Sequence, residues 1–375
     1  MPTAISPTLV RGQATAPRST DTPMKFSHVP ALDGIRAIAV LLVFFAHCGL
    51  DKVIPGGNGV TIFFFLSGYL ITSLLVSEHQ STGTVSIKDF YLRRIYRILP
   101  PLYASMAFAF FLSLAVGTYV YLEGEAVLAQ AAMVSNYFFF TEGASLRIPL
   151  WSLAVEEHYY IFFPFIFLVL VRRITYRQMA MIFLALCVAA LLLRYYYALF
   201  TPLAHYTYFW SHTRYDSILF GCILALWNNP VLEKSAWRPH WPAAAAALLV
   251  MLACIAIRDP LFRDTLRYSI QGASLIVLFS FAVSSSGLVS RTLSNSYLRL
   301  IGKYSYSIYL LHLPIIKSLR TLFPAITVPV VVLVAGALSF ALSALMYRYV
   351  ESYFSALRRK LHDENGDGAH TAKRA

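Results

Sequence analysis

Charged residues are scarce in this chain, at 13% of 375 residues, whereas a soluble globular domain carries about 25%. Hydrophobic residues make up 58% of the sequence. This balance excludes an ordinary soluble domain and indicates a membrane protein with several spans.

Acidic residues are few as well, with 18 Asp and Glu against 31 Lys and Arg, which gives a net charge of +13. Such an excess can attract nucleic acid, but in a membrane protein it normally marks the cytoplasmic loops. We therefore expect the lipid bilayer, and no nucleic acid, as a partner.

Cysteine is nearly absent, with four residues that all lie in apolar runs and show no C-x-x-C spacing. This pattern excludes a disulfide framework and predicts that the protein holds no metal.

Neither end of the chain carries a long apolar stretch. Residues 1–27 are rich in Pro, Thr, Ser and Ala and predict a disordered tail. The first apolar run is long and ends in HCGLDK, a poor cleavage site, so we expect no signal peptide. Residues 356–375 are polar and predict a cytoplasmic tail. One transmembrane domain is expected over residues 28–355, with no additional soluble domain.

Ten apolar runs have about the 20 residues that a helix needs to cross a bilayer. They lie at 31–50, 58–77, 98–120, 150–171, 178–198, 214–229, 241–257, 268–286, 300–318 and 327–349. We therefore predict an all-α, polytopic membrane protein with about ten transmembrane helices. Most Lys and Arg lie on the inner side if both termini are cytoplasmic, so the positive-inside rule predicts that orientation.

An eleventh apolar stretch at 126–140 is short for a full crossing. If it crossed the membrane, the basic segment RRITYR at 172–177 would be moved outside. We therefore interpret 126–140 as a re-entrant or outer-surface helix.

Polar residues interrupt the predicted spans, and the first pair stands in RAIAVLLVFFAH, where ten apolar residues separate Arg36 from His47. On a continuous α-helix these side chains would share a face about 16 Å apart along the axis. One interpretation is that Arg36 snorkels to the inner interface and His47 caps a helix. The other is a reaction centre, because histidine is suited to general-base catalysis near neutral pH.

A basic cluster occurs in FYLRRIYRILPPLY, where Arg93 and Arg97 share a helix face and Arg94 lies beside them. The cluster could simply anchor the span at the cytoplasmic interface. It could equally bind phosphate, because guanidinium groups pair with phosphate oxygens in a bidentate manner.

A glycine-rich segment, PGGNGVTIFFFLSGYLIT, places Ser67 and Gly68 inside a span. Ordinary packing of small residues between helices accounts for it. Alternatively, Gly68 lets a ligand or another backbone approach closely.

Two adjacent acids, Glu156 and Glu157, enter an apolar helix in PLWSLAVEEHYYIFFP. They could form ion pairs with another helix, and HTRYDSILFG supplies Arg214 and Asp216 as candidate partners. A satisfied core histidine is the simplest interpretation of His312 in YSYSIYLLHLP. Ionisable residues within spans nevertheless tend to mark a pathway or a reaction centre.

Together these segments resemble the acyltransferase 3 family in their order and spacing. The resemblance rests on the arginine–histidine run, G-V-x-x-F-F-x-L-S-G-Y, R-R-x-x-R-I-x-P, W-S-L-x-x-E-E-x-x-Y and S-Y-x-I-Y-L-x-H, and it covers roughly residues 28–355. Members are multi-pass membrane proteins that O-acylate surface polysaccharides, lipopolysaccharide sugars, oligosaccharides and macrolides. His158 and Tyr159 depart from the family pattern, where Gln and Phe are common.

The resemblance implies transfer of an acyl group, acetyl by default, from cytoplasmic acyl-CoA to a glycan or another hydroxyl-bearing acceptor at a bacterial inner membrane. His47 would be the general base and Arg36 would orient the CoA arm. The full set of predicted site residues is: Arg36, His47, Glu156 and Glu157 as catalytic; Arg93, Arg94, Arg97, Ser67 and Gly68 as donor-binding; Asn136, Trp151, Arg214, Asp216 and His312 as acceptor-binding.

Two other functions fit parts of the sequence. A transporter or flippase for lipid-linked glycans would also use buried charges, but the half-sequence repeats typical of such proteins are not evident. A glycerolipid-type acyltransferase would need His-x4-Asp, and the nearest acid after His47 is Asp51, which gives His-x3-Asp.

Overall fold

The structure is a computed structural model, and it describes residue 26 and residues 28–117, 124–137 and 150–360. Within these ranges it is helical and contains no β-strand. The helices are α1 (Pro30–Phe45), α2 (Gly56–Thr82), α3 (Ile87–Val116), α4 (Gly124–Ala131), α5 (Leu150–Val171), α6 (Tyr176–Phe200), α7 (Ser211–Trp227), α8 (Trp241–Ala256), α9 (Pro260–Asp264), α10 (Leu266–Ser284), α11 (Leu288–Leu293), α12 (Ser296–Leu322) and α13 (Val328–Met346).

Helices lie at all ten positions where the sequence predicts a span. Among the described residues, seven helical segments are long and apolar enough to cross a membrane: Pro30–Leu50, Gly56–Thr82, Ile87–Val116, Leu150–Val171, Tyr176–Phe200, Leu266–Ser284 and Val328–Lys360. Helix α7 is 17 residues long and α8 is 16, while α12 is long but more polar. The multi-pass character is therefore supported, and the count of ten crossings stays a prediction.

Local sequence explains where several helices begin and end. Ser86 caps α3 by accepting a hydrogen bond from the backbone of Asp89. Thr175 and Gln178 form a reciprocal capping box at the start of α6. Helix α2 ends at Gly83, whose φ of 74° is left-handed. These signals delimit the helices independently of the bilayer.

The crossing of α2 and α7 brings two backbones into contact. A Cβ atom on Gly68 would overlap the carbonyl oxygen of Ile218, and one on Gly221 would overlap that of Phe65. Gly68 lines neither of the two cavities described below. The close approach of another backbone, one of the two interpretations of Gly68, is therefore observed, and its contact with the donor stays a prediction.

Many large apolar side chains point away from the helix bundle. Phe162 on α5, Leu192 on α6 and Leu333 on α13 are more than 60% exposed in the chain alone. Such a surface is expected where helices face lipid. Most of the polar side chains discussed below lie between the helices instead.

Both ends of the described chain lie beside one cavity, whose wall includes His28 and Arg358. The last helix continues from α13 to Lys360, and its end thus lies on the same side of the bundle as the start of α1. Whether that side is cytoplasmic stays a prediction from charge. In the 126–140 stretch the structure describes α4 and a short 3₁₀ helix, Ser135–Tyr137; residues 138–149 lie outside the described ranges, and the re-entrant interpretation stays a prediction.

Cysteine labelling tests this topology. We expect a membrane-impermeant maleimide to label Glu142→Cys on intact cells and to leave Thr175→Cys unlabelled until the membrane is permeabilised. The four native cysteines are buried and give little background. The opposite pattern would show that 126–140 crosses the bilayer.

Candidate active site

A cavity of about 1370 Å³ opens at the side of the bundle where α1 begins. Its charged wall comes from the ends of five helices and contains eight Lys and Arg side chains against three carboxylates. The cationic residues are Arg36, Arg93, Arg94, Arg97, Arg299, Lys303, Arg358 and Arg359, and the acidic ones are Asp33, Glu78 and Glu351. The cavity is thus strongly basic and suited to a polyanion.

The three arginines of α3 differ in how they are paired. Arg93 forms an ion pair with Glu78, with 3.2 Å between Nη2 and Oε2. Neither Arg94 nor Arg97 has a carboxylate within ion-pair distance among the described residues. The guanidinium of Arg94 lies 5.3 Å from the ring centroid of Tyr160. The Nε atom of Arg94 has no hydrogen-bond partner among the described residues. Arg94 and Arg97 are therefore the members best placed to receive an anionic ligand.

A second, narrow cavity of about 100 Å³ continues from the first toward the middle of the bundle. The two share five wall residues: Arg36, Arg94, Arg97, Lys303 and Glu351. Farther in, the narrow cavity is lined by Ser67, Ser152, Glu156, Tyr160 and Tyr309. Most of the rest of its wall is apolar, so a thin, largely apolar passage that carries these polar groups begins at the basic cavity.

A hydrogen-bonded group lines one wall of this passage. The Tyr160 hydroxyl donates to Oε2 of Glu156 at 3.0 Å and lies 2.9 Å from Oγ of Ser67. Ser152, Glu156 and Tyr160 share a helix face, as their i, i+4, i+8 spacing indicates. Glu157 points elsewhere: it lines neither cavity, and its Oε1 has no hydrogen-bond partner in the described ranges.

His47 lies on an exposed turn, and its ring contacts the ring of His312. Nδ1 of His47 is 2.9 Å from Nε2 of His312, and the ring centroids are 5.1 Å apart. Nε2 of His47 has no hydrogen-bond partner within the described part of the chain. An incoming hydroxyl could therefore reach this nitrogen.

The turn that carries His47 is a π-helix, Ala46–Leu50, and Gly49 within it has a φ of 103°. This left-handed φ favours glycine. The prediction that Arg36 and His47 share one face assumed a continuous α-helix, and that assumption is wrong because the π-turn changes the helical period just before His47. Arg36 lines both cavities, whereas His47 lines neither.

Tyr309 lies between the passage and the histidine pair. It lines the narrow cavity, its hydroxyl is 2.5 Å from Oγ of Ser152, and its ring centroid is 5.8 Å from that of His312. The basic cavity, the passage and the two histidines therefore follow one another through the bundle.

The predicted acceptor residues other than His312 are engaged in packing. Asn136 is buried and donates to Oγ of Ser211 at 2.9 Å. Trp151 is buried against Phe64, Tyr208 and Phe209.

Asp216 and Arg214 do not pair with the acids of α5. The carboxylate of Asp216 pairs with Arg194 at 2.7 Å and also accepts from Ser269. The buried guanidinium of Arg214 lies 3.8 Å from the ring centroid of Tyr268 and donates to Thr61. The interpretation of Arg214 and Asp216 as partners of the α5 acids is therefore wrong, because Arg194 on α6 is the partner of Asp216. None of these contacts excludes a role in acceptor binding, which stays a prediction for all of them.

Several residues of the cavity wall were not predicted. Arg299 and Lys303 on α12, Glu351, and Arg358 and Arg359 on the last helix join the basic cavity. The basic residues lie near the start of α12 or the end of the last helical segment, where charge normally anchors a span, so their sequence context carried no separate signal. Only the packing of α12 and α13 beside α1 and α3 brings them to the cavity.

Comparisons with known proteins identify the family of the chain. A family model described as an acyltransferase domain, that of acyltransferase 3, matches residues 29–348. O-acetyltransferase OatA of Staphylococcus aureus strain NCTC 8325 is 30% identical over 344 residues, which cover 87% of this chain and 57% of that protein. A protein of strain COL, whose name proposes an O-acetyltransferase, is 31% identical over 357 residues, or 88% of this chain and 58% of its own length.

The chain therefore spans a little over half the length of these curated relatives. No solved structure matches it. The family match covers most of the chain and includes the arginine cluster, the paired acids and both histidines. The chain belongs to the acyltransferase 3 family.

Proposed function

We propose that this protein is an O-acyltransferase that moves an acyl group, with acetyl expected, from cytoplasmic acyl-CoA to a hydroxyl of a surface glycan or glycolipid at a bacterial plasma membrane. The observation that carries the proposal is the basic cavity that narrows into a thin passage toward the histidine pair. Family membership and the O-acetyltransferase name of the relatives support the reaction type.

The charge and shape of the two cavities suit the acyl-CoA donor. The nucleotide end of CoA carries several negative phosphate charges, and eight cationic side chains surround the large cavity. Guanidinium groups bind phosphate oxygens in pairs, and Arg94 and Arg97 have no carboxylate partner of their own among the described residues. The narrow cavity admits only a thin chain, which fits the pantetheine arm better than a sugar. Arg36, on the wall of both cavities, would neutralise the phosphate end of that arm.

His47 is the proposed base at the acceptor end of the passage. Its Nε2 would take the proton of the acceptor hydroxyl as the oxygen attacks the thioester carbonyl carbon. The new C–O bond forms, the C–S bond breaks, and the thiolate leaves and takes the proton to give free CoA. Glu156, on the passage wall, is the alternative proton acceptor.

Transfer of labelled acetyl groups tests the proposal. We expect purified protein, given [¹⁴C]acetyl-CoA and the envelope glycan fraction of its host, to place base-labile label on the glycan. Free [¹⁴C]acetate in place of acetyl-CoA is the control and should give none.

The flippase alternative predicts a different result in the same preparation. Movement of lipid-linked glycan across vesicles without any acetyl transfer would contradict the enzyme and support transport instead.

A further inference from the structure

We infer that α12 positions the reacting histidine at two points: the ring of His312 sets the tautomer of His47, and the guanidinium of Arg320 holds the turn that carries it. This inference rests on the proposed role of His47 and adds two positioning residues to it. It replaces the acceptor-binding role that the sequence suggested for His312.

The first step concerns the proton on His312. Its Nδ1 lies 3.0 Å from the carbonyl oxygen of Ile308, one turn earlier on α12. A carbonyl oxygen only accepts, so Nδ1 of His312 carries the hydrogen and donates it. In the neutral ring, Nε2 then carries the lone pair. The ring is fully buried beside Phe44 and Tyr309, which prevents it from turning over.

The second step concerns the tautomer of His47. Because Nε2 of His312 is an acceptor, Nδ1 of His47, at 2.9 Å, must carry a hydrogen. The lone pair of His47 is then on Nε2, the nitrogen that a general base needs. An exposed imidazole without this contact would populate both tautomers and more than one ring orientation. The hydrogen bonds from Ile308 through His312 therefore select the tautomer of His47 whose Nε2 can accept a proton.

The third step concerns the backbone under His47. Nη2 of Arg320 donates to the carbonyl oxygen of Cys48 at 2.7 Å. The next residue, Gly49, has a left-handed φ of 103°, and a Cβ there would meet Nη2 of Arg320. A π-turn at a helix end gives few hydrogen bonds for its length, so a donor from outside is a substantial part of what holds it.

The two contacts come from one rigid element. His312 and Arg320 are eight residues apart on α12, which is about 12 Å along the helix axis. Because the same helix holds the imidazole ring and the turn beneath it, the ring cannot tilt without breaking a contact with α12. Orienting groups of this kind have large kinetic effects: in serine proteases, replacing the residue that sets the histidine tautomer lowers kcat about 10⁴-fold.

Matched amides at position 312 test the tautomer. His312→Gln places an amide oxygen near the position of Nε2, where it accepts from His47. His312→Asn keeps a donor near the position of Nδ1 but has no acceptor that reaches His47. With [¹⁴C]acetyl-CoA and host envelope glycan, we expect kcat within about threefold of wild type for Gln and a loss of about tenfold or more for Asn. KM for acetyl-CoA should be unchanged in both, and each variant is compared only as folded protein.

The second arm tests the turn. Arg320→Lys keeps a donor for the Cys48 carbonyl, whereas Arg320→Met keeps length and removes the donor. We expect Lys to retain most of kcat and Met to lose about tenfold, again with KM for acetyl-CoA unchanged.

The outcomes test the two positioning residues separately from the proposed base. Equal kcat values for folded Gln and Asn variants, whether both high or both low, overturn the tautomer role while His47 can still be the base. Should the Asn variant not fold, a folded Gln variant that loses tenfold or more overturns it alone. Wild-type kcat in Arg320→Met overturns the role of the turn. An active His47→Ala protein, in contrast, contradicts the assignment of His47 as the base, and the absence of acetyl transfer by the wild-type protein contradicts the proposed function itself.

Discussion

Replacement of His47 by alanine is expected to lower the rate of acyl transfer by about 10²–10⁴-fold, the usual contribution of a general base. Binding of acyl-CoA should remain at the wild-type level, because the arginines that would hold the donor line cavities that His47 does not reach. Rate and affinity are affected differently because the base acts on the acceptor hydroxyl, while the donor phosphates are held at the other end of the passage. Transfer rate and acetyl-CoA affinity, measured on the same detergent preparation, check both halves.

The matched control is His240→Ala. His240 is exposed at the start of α8 and lines neither cavity, so its loss should leave transfer unchanged. The wild-type rate should also fall in acid, because a protonated imidazole accepts no proton. A His47→Ala protein that keeps more than about a tenth of wild-type turnover would refute the assignment, since general-base loss costs more than that, and Glu156 would become the candidate.

Removal of Arg94 and Arg97, which have no carboxylate partner in the described part of the chain, is the second large effect. We expect Arg94→Gln with Arg97→Gln to weaken acetyl-CoA binding strongly, because a hydrogen bond to a charged group contributes about 1.5–3 kcal/mol. Each lost contact then corresponds to about 10- to 150-fold in Kd. Arg93→Gln should have a smaller effect, because Arg93 is already paired with Glu78. Titration calorimetry with acetyl-CoA on wild type and on both variants measures these affinities.

The control makes the same change of charge outside the cavities. Arg172 and Arg173 are exposed after α5 and line neither cavity, so their replacement by Gln should leave affinity unchanged. Dephospho-CoA distinguishes a specific phosphate site from general attraction, since it should bind wild type more weakly than CoA does. Wild-type affinity in the Arg94/Arg97 variant would mean that the cluster only anchors α3 at the membrane interface.

The helices could be predicted from the sequence because hydropathy and helix ends are local properties. All ten apolar runs correspond to helices, and the spacing of Ser152, Glu156 and Tyr160 correctly placed three polar groups on one face. The arginine cluster at 93–97 was located by the same local argument, because an i, i+4 pair on one helix needs no other element. What the spacing could not tell is that Glu78, on α2, pairs with Arg93 and leaves its neighbours open.

The sequence by itself determined the membrane class, the helices, the family and the kinds of chemistry available, since these depend on composition and short-range order. Only the tertiary structure decided the partners. His47 meets His312 across 265 residues, Asp216 pairs with Arg194, and Gly68 makes room for a helix. A buried polar group must find a partner, because leaving it unpaired in a low-dielectric interior costs several kcal/mol. Many polar side chains could meet that need, and the one that does is selected by how the helices pack.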